Sequence, residues 1–190
     1  GKSGYASNST YVGYQAYGSS NQNEIVISVG NPVGAGENTI SIGKNGNRLY
    51  ANFSSNNTWT QSSDERMKKN ITDDTLGLSF INRLRPVTFN FRKASEYPED
   101  FPYYDATNKN SKDDTITHHG LIAQEVKAAM DAENNTTFKG YDLANDGVHS
   151  ISEGNFVYPL IKAVKELSAK VDALETENTA LKARVTTLEG

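Results

Sequence analysis

The sequence predicts an elongated α+β oligomer, on three observations. The first third is rich in Gly, Ser, Asn and Thr with short alternating apolar runs; the middle carries core-type apolar residues; the C-terminal end repeats apolar residues with heptad spacing. The division that follows is a β-rich stalk over residues 1–62, a mixed α/β region over 63–155 and a coiled coil over 156–190. With 190 residues, 36% of them hydrophobic, and a mean hydropathy of -0.63, a large private core is not expected. Association of copies would supply the missing buried area.

In the stalk, Ile25-Val26-Ile27-Ser28-Val29 and Thr39-Ile40-Ser41-Ile42 alternate and are each followed by Gly, as brief strands between tight turns do. Ser28-Val29-Gly30 recurs loosely as Ser41-Ile42-Gly43, and Tyr11-Val12-Gly13-Tyr14 resembles an earlier turn of the same device. A flexible polar linker shares this composition; the alternation is what speaks for strands completed by sister chains.

In the middle region Leu76, Leu78, Phe80, Ile81 and Leu84 predict a short helix that stops before Pro86, and Val87-Thr88-Phe89-Asn90-Phe91 alternates as a strand. From Ala94 to His118, Pro98, Pro102 and the polar run 108–114 predict a long excursion or hairpin tip that projects rather than packs. Gly120–Met130 reads as an amphipathic helix with Leu121, Ile122, Val126 and Met130 on one face.

The C-terminal region gives the plainest pattern. Leu160, Val164, Leu167, Val171, Leu174, Asn178, Leu181, Val185 and Leu188 follow an unbroken 4-3 spacing, with Val164, Val171, Asn178 and Val185 at a and the leucines at d. The pairs from g to the following e, Lys170/Glu175, Glu177/Lys182 and Arg184/Glu189, are all opposite in sign. Parallel identical helices in register need that matching, whereas a helix lying on its own domain does not. Val at a, Leu at d and one Asn at a favour two strands in isolated peptides.

At the stalk boundary stands Ser62-Ser63-Asp64-Glu65-Arg66-Met67-Lys68-Lys69-Asn70-Ile71. Ser62 with Glu65 satisfies a capping box, so these letters can simply start a helix. Ser63-Asp64-x-Arg66-x-Lys68 followed by Asn70-Ile71 also resembles the start of the intramolecular chaperone domain of endosialidases, phage tail fibres and neck appendages, a domain classified as a self-cleaving serine peptidase. The likeness continues through Leu84–Phe89, Gly120–Val126, and Tyr158–Leu160 with Ala163–Leu167.

The resemblance implies a homotrimer, three strands in the coil, and an intramolecular chaperone that folds a phage tail fibre or tailspike and then releases itself. It makes Ser63 the nucleophile, Lys68 its base, the Ser62–Ser63 bond the one cut, and Asp64, Arg66, Asn70, Gln124 and Glu125 supporting residues. A neutral amine can activate a serine hydroxyl, and Arg66 and Lys69 offer positive charge that would favour neutrality, while Asp64 and Glu65 oppose it. Five residues along a regular helix turn a side chain by about 500°, so Ser63 and Lys68 cannot share one helix and touch. Either Ser63 precedes the first turn or the lysine comes from a neighbouring protomer. An N-to-O acyl shift and direct attack by water both remain open.

Other functions fare worse. The 19 basic residues are interspersed among 23 acidic ones, which leaves no nucleic-acid stripe. No run is apolar enough to span a bilayer, and the absence of cysteine excludes disulfides and thiol catalysis. His118, His119 and His149 lack tetrahedral metal spacing, and Asp113/Asp114 and Asp142/Asp146 lack that of a calcium loop, so no metal or cofactor is expected. The expected partners are sister chains, the N-terminal fibre part of the same chain and, for the mature fibre, a host surface receptor or glycan. The mature fibre would belong to the virion tail, its precursor to the host cytoplasm, and the released chaperone to neither virion nor membrane. A permanent, non-catalytic fibre tip or adhesin is the main alternative. A membrane-tethered transcription factor using the same domain is disfavoured by the missing basic region.

Overall fold

The computed structural model describes residues 8–16, 18, 23–29, 34–44, 47–109 and 111–189. It is a mixed α/β structure that divides into two compact units, Gly1–Thr72 and Asp73–Gly190.

The first unit holds one five-stranded sheet in the order β1 (Thr10–Val12), β2 (Glu24–Ser28), β3 (Thr39–Lys44), β4 (Asn47–Asn52), β5 (Asn56–Gln61). The first three strands are parallel and the last two antiparallel. Thr10 lies opposite Ile25, and Ile25 opposite Ile40, so the chain returns to the same level every 15 residues. Asn8, Asn23 and Asn38, one at each strand entry, adopt φ of 59°, 53° and 58°. Asparagine visits this left-handed region at low cost. The repeat inferred from Ser28 and Ser41 therefore has the wrong offset: Ser28 pairs with Gly43, and Ile27 with Ile42. Gly30 of that motif lies outside the described residues. The local Ser-x-Gly likeness was misleading because parallel register is set by the whole return path between strands.

The two faces of this sheet are inverted relative to an ordinary globule. Glu24, Val26 and Ser28 of β2, with Thr39 and Ser41 of β3, are buried; Glu24 accepts the Gly36 N–H at 2.9 Å. Val12, Ile27, Ile42 and Leu49 form one cross-strand row on four successive strands, yet each is 40–52% exposed.

The second unit has a conventional core of Leu76, Phe80, Val126, Ala129, Met130 and Phe156. Phe80, Phe138 and Phe156 contact one another with ring centroids 5.1–6.4 Å apart. Helix α1 (Leu78–Arg83) ends where Leu84 turns extended ahead of Pro86. Strand β6 (Val87–Phe89) pairs antiparallel with β7 (His118–Gly120). Helix α2 spans Ala123–Ala132, shorter than the predicted 120–130 helix at its start: Gly120 belongs to β7 and Ile122 is extended and exposed. Its buried stripe is Val126, Ala129 and Met130, the i, i+3, i+4 positions. A hairpin of β8 (Tyr141–Leu143) and β9 (His149–Ile151) follows.

The excursion between β6 and β7 packs on itself, contrary to the expectation that it merely projects. Ala94 is 4% exposed, its N–H donates to Ser111 Oγ at 2.8 Å, and the Ser95 N–H donates to Asn108 Oδ1 at 2.9 Å. Lys112 Nζ stands 3.7 Å above the Phe91 ring, a cation–π contact. Tyr103 donates to Asp146 at 3.1 Å, tying the excursion to the β8–β9 hairpin and raising the tyrosine pKa.

Helix α3 (Val157–Glu189) runs 33 residues, about 50 Å at 1.5 Å per residue. Pro159 sits in its first turn, where no N–H is required. Pro159 and Ala163 are buried against the unit. The Glu166 carboxylate accepts the Leu78 N–H at 2.8 Å, capping α1, and Lys162 donates to the Asp74 carbonyl. Gly77 makes room for this cap, since a Cβ there would stand 2.5 Å from Glu166 Oε1. Beyond Glu166 every described position is exposed, the apolar row from Leu167 to Leu188 included.

Candidate functional site

The boundary sequence builds a tight, exposed loop in the first unit. Residues Glu65–Met67 form a single 3-10 turn, closed by Met67 N–H to Asp64 C=O at 3.1 Å and Lys68 N–H to Glu65 C=O at 2.9 Å. Its N-cap is Asp64, with the carboxylate accepting the Arg66 N–H at 2.8 Å. The Ser62–Glu65 capping box expected from the sequence does not form. Asp64 starts the turn two residues later than Ser62 would have done, and a three-residue 3-10 turn replaces the helix.

That late start frees Ser63 to lie ahead of the turn, while Lys68, extended at φ -114° and ψ 151°, leaves it. Across the turn Lys68 Nζ donates to Ser63 Oγ at 2.7 Å. The two side chains thus meet within one chain, by the first of the two routes that helical geometry allowed. Ser62 is half-buried and Ser63 exposed. Asn70, at φ 54°, turns the chain away just beyond Lys68.

Asp64 and Arg66 form a bidentate pair, Nε at 2.9 Å and Nη2 at 2.6 Å. Arg66 hydrogen bonds hold the Asp64 carboxyl below the usual carboxylate range, and Asp64 in turn raises the guanidinium. The guanidinium is therefore paired with Asp64, the residue expected to oppose the positive charge that Arg66 offers the lysine.

Gln124 and Glu125 belong to the other unit, in the first turn of α2. Glu125 accepts from Arg85 through Nε at 3.1 Å and through Nη2, raising the Arg85 pKa. This pair joins Leu84–Phe89 to Gly120–Val126, the same two segments whose strands pair as Val87 opposite Gly120. Gln124 is exposed. Two of the three histidines have structural partners: His118 stacks on Phe89 and meets Phe91 edge-on, and His149 Nδ1 is 2.8 Å from the Tyr141 hydroxyl. Sequence reasoning missed Glu166 as the cap of α1. Its signal was a carboxylate one helical turn after Lys162, a spacing that surface ion pairs share.

The chain matches the model of a self-cleaving peptidase family described as chaperone of endosialidase, over residues 63–134. The match opens on Ser63 and closes just past the end of α2. Comparison with curated proteins gave no match. From the serine of the exposed loop to the helix that carries Glu125, the chain is similar to the chaperone-of-endosialidase family.

Proposed function

We propose that this chain is part of a phage tail fibre or tailspike, in which an intramolecular chaperone trimerises and folds the upstream fibre and then detaches by cutting between Ser62 and Ser63. The observation that carries the reading is the 2.7 Å contact between Lys68 Nζ and Ser63 Oγ, directly after the scissile bond. Ser63 Oγ attacks the Ser62 carbonyl carbon as Lys68, in its neutral form, takes the hydroxyl proton. Breaking the C–N bond passes that proton to the Ser63 amine and leaves an ester, which water hydrolyses. In the other route water attacks directly and the pair assists; trapping of an ester by hydroxylamine distinguishes the two.

Exposure of the loop supports coupling of cleavage to assembly. A neutral amine is favoured by removal from water, and sister chains packed around the loop supply that removal. Two apolar rows support self-association: Val12, Ile27, Ile42 and Leu49 on the sheet, and the a/d row of α3. Three copies in register match the g and e charges and bury both rows. Cleavage makes assembly one-way, because the interlocked fibre persists after its helper has left. Intact mass measured on freshly folded protein tests the reading: wild type should yield two fragments divided between Ser62 and Ser63, and Ser63→Ala one full-length species. Val171→Asp should abolish assembly and cleavage together. A single uncut trimer from wild type would favour the permanent fibre tip, and efficient cutting by monomers would remove the coupling.

A further inference from the structure

In the second unit a cavity of about 490 Å³ opens beside the start of α3, with walls that include Ile81, Leu84, His119, Leu121, Phe156 and Leu160. Its position relative to the heptad frame identifies what fills it. Extended one turn upstream, the frame places Phe156 at g, Val157 at a, Leu160 at d and Ile161 at e. The cavity wall thus uses the d position of α3 together with Phe156, the last residue of the 3-10 turn Glu153–Phe156 that leads into the helix. In a parallel coil the g/d flank of one helix faces the e/a flank of the next.

Further along the helix that relation is written in charge, as Lys170/Glu175, Glu177/Lys182 and Arg184/Glu189. Applied upstream, the same g-to-e step pairs Phe156 with Ile161, an apolar pair in place of a charged one. Ile161 is 51% exposed. It is turned about 100° from Leu160 around the helix axis and is not among the residues that line its own cavity.

We infer that the cavity is a socket for Ile161 of a neighbouring copy of this chain, each copy in a closed ring giving one isoleucine and receiving one. The inference rests on the parallel self-association of α3 proposed above, and names the contact that locks the domains of neighbouring copies together at the coil's base. Charged g/e pairs fix register along the helix, whereas the apolar pair at its base contributes buried area.

The chain has no cysteine, so a His119→Cys/Ile161→Cys variant carries one designed pair. Oxidised and analysed by denaturing mass measurement, it should give covalent species up to the size of the assembly seen by sedimentation, and neither single variant should give that ladder. Ile161→Lys should raise the concentration of half-assembly by at least about tenfold, with Ile161→Leu restoring it. An assembly that forms normally but links only within chains, or that ignores Ile161→Lys, overturns the socket and leaves the trimer reading standing. A wild-type chain that stays monomeric overturns both.

Discussion

The two units solve the burial problem in opposite ways. The second encloses Phe80, Phe138 and Phe156 in a private core that one chain completes. The first buries Glu24, Ser28, Thr39 and Ser41 and turns Val12, Ile27, Ile42 and Leu49 outward. A sheet built this way gains little from folding alone and much from meeting copies of itself. Under the function proposed above, the difference assigns the units different roles: the second folds by itself, and the first is completed when copies meet.

Severing the regions has the largest expected effect. Ser63→Ala and Lys68→Met should each slow self-cleavage by at least about a thousandfold, read as fragment yield against time. Lys68→Arg should not rescue, because guanidinium remains protonated. The contrast in burial is tested by two core-sized substitutions. Phe80→Ala should cost the second unit about 3–5 kcal/mol in denaturant unfolding at any protein concentration. Ile27→Ser should leave the monomer nearly unchanged and weaken assembly instead, a difference visible as concentration dependence of the melting temperature. Should Ile27→Ser destabilise the monomer as much as Phe80→Ala does, the inverted sheet is not what drives association.

Smaller effects sharpen the picture of the self-sufficient unit. Gly77→Ala pushes against the Glu166 carboxylate and should uncap α1 for about 1 kcal/mol, with little further loss when Glu166→Gln is added. Hydrogen bonds from Ser79 and then Arg83 hold Glu133 below the usual carboxylate range. Its folded pKa lies below the unfolded one, so its contribution is fully present above the ordinary carboxylate range and fades as pH falls through the lowered value. Glu133→Gln should flatten the acid side of the unfolding profile.

Much of the second unit was legible because its signals are local. Pro86 stops α1, alternation marks Val87–Phe89, and the 4-3 row from Leu160 to Leu188 marks α3. The β8–β9 hairpin escaped notice, its strands being three residues each and polar between. In the first unit alternation found β2 and β3 but not β4 and β5, and register was lost to a local Ser-x-Gly likeness. Its true marker, asparagine at 8, 23 and 38, carries the 15-residue period without any apolar letter. At the junction the residue types stood out, while the fold of the loop turned on Asp64 outcompeting Ser62 as the cap. Two side chains with comparable propensity cannot be ranked from sequence alone.

The anchoring of α3 bears on a choice that heptad letters leave unsettled. Ala163 and Glu166 are seated on the domain within the same turns that present Leu160 and Val164, so the rotational phase of the helix is fixed before it meets another. A free peptide of residues 157–190 can pivot to suit its own preference for two strands. The helix in the whole chain cannot, so in the assembly proposed above the number of neighbours would be decided by how many domains fit around the axis.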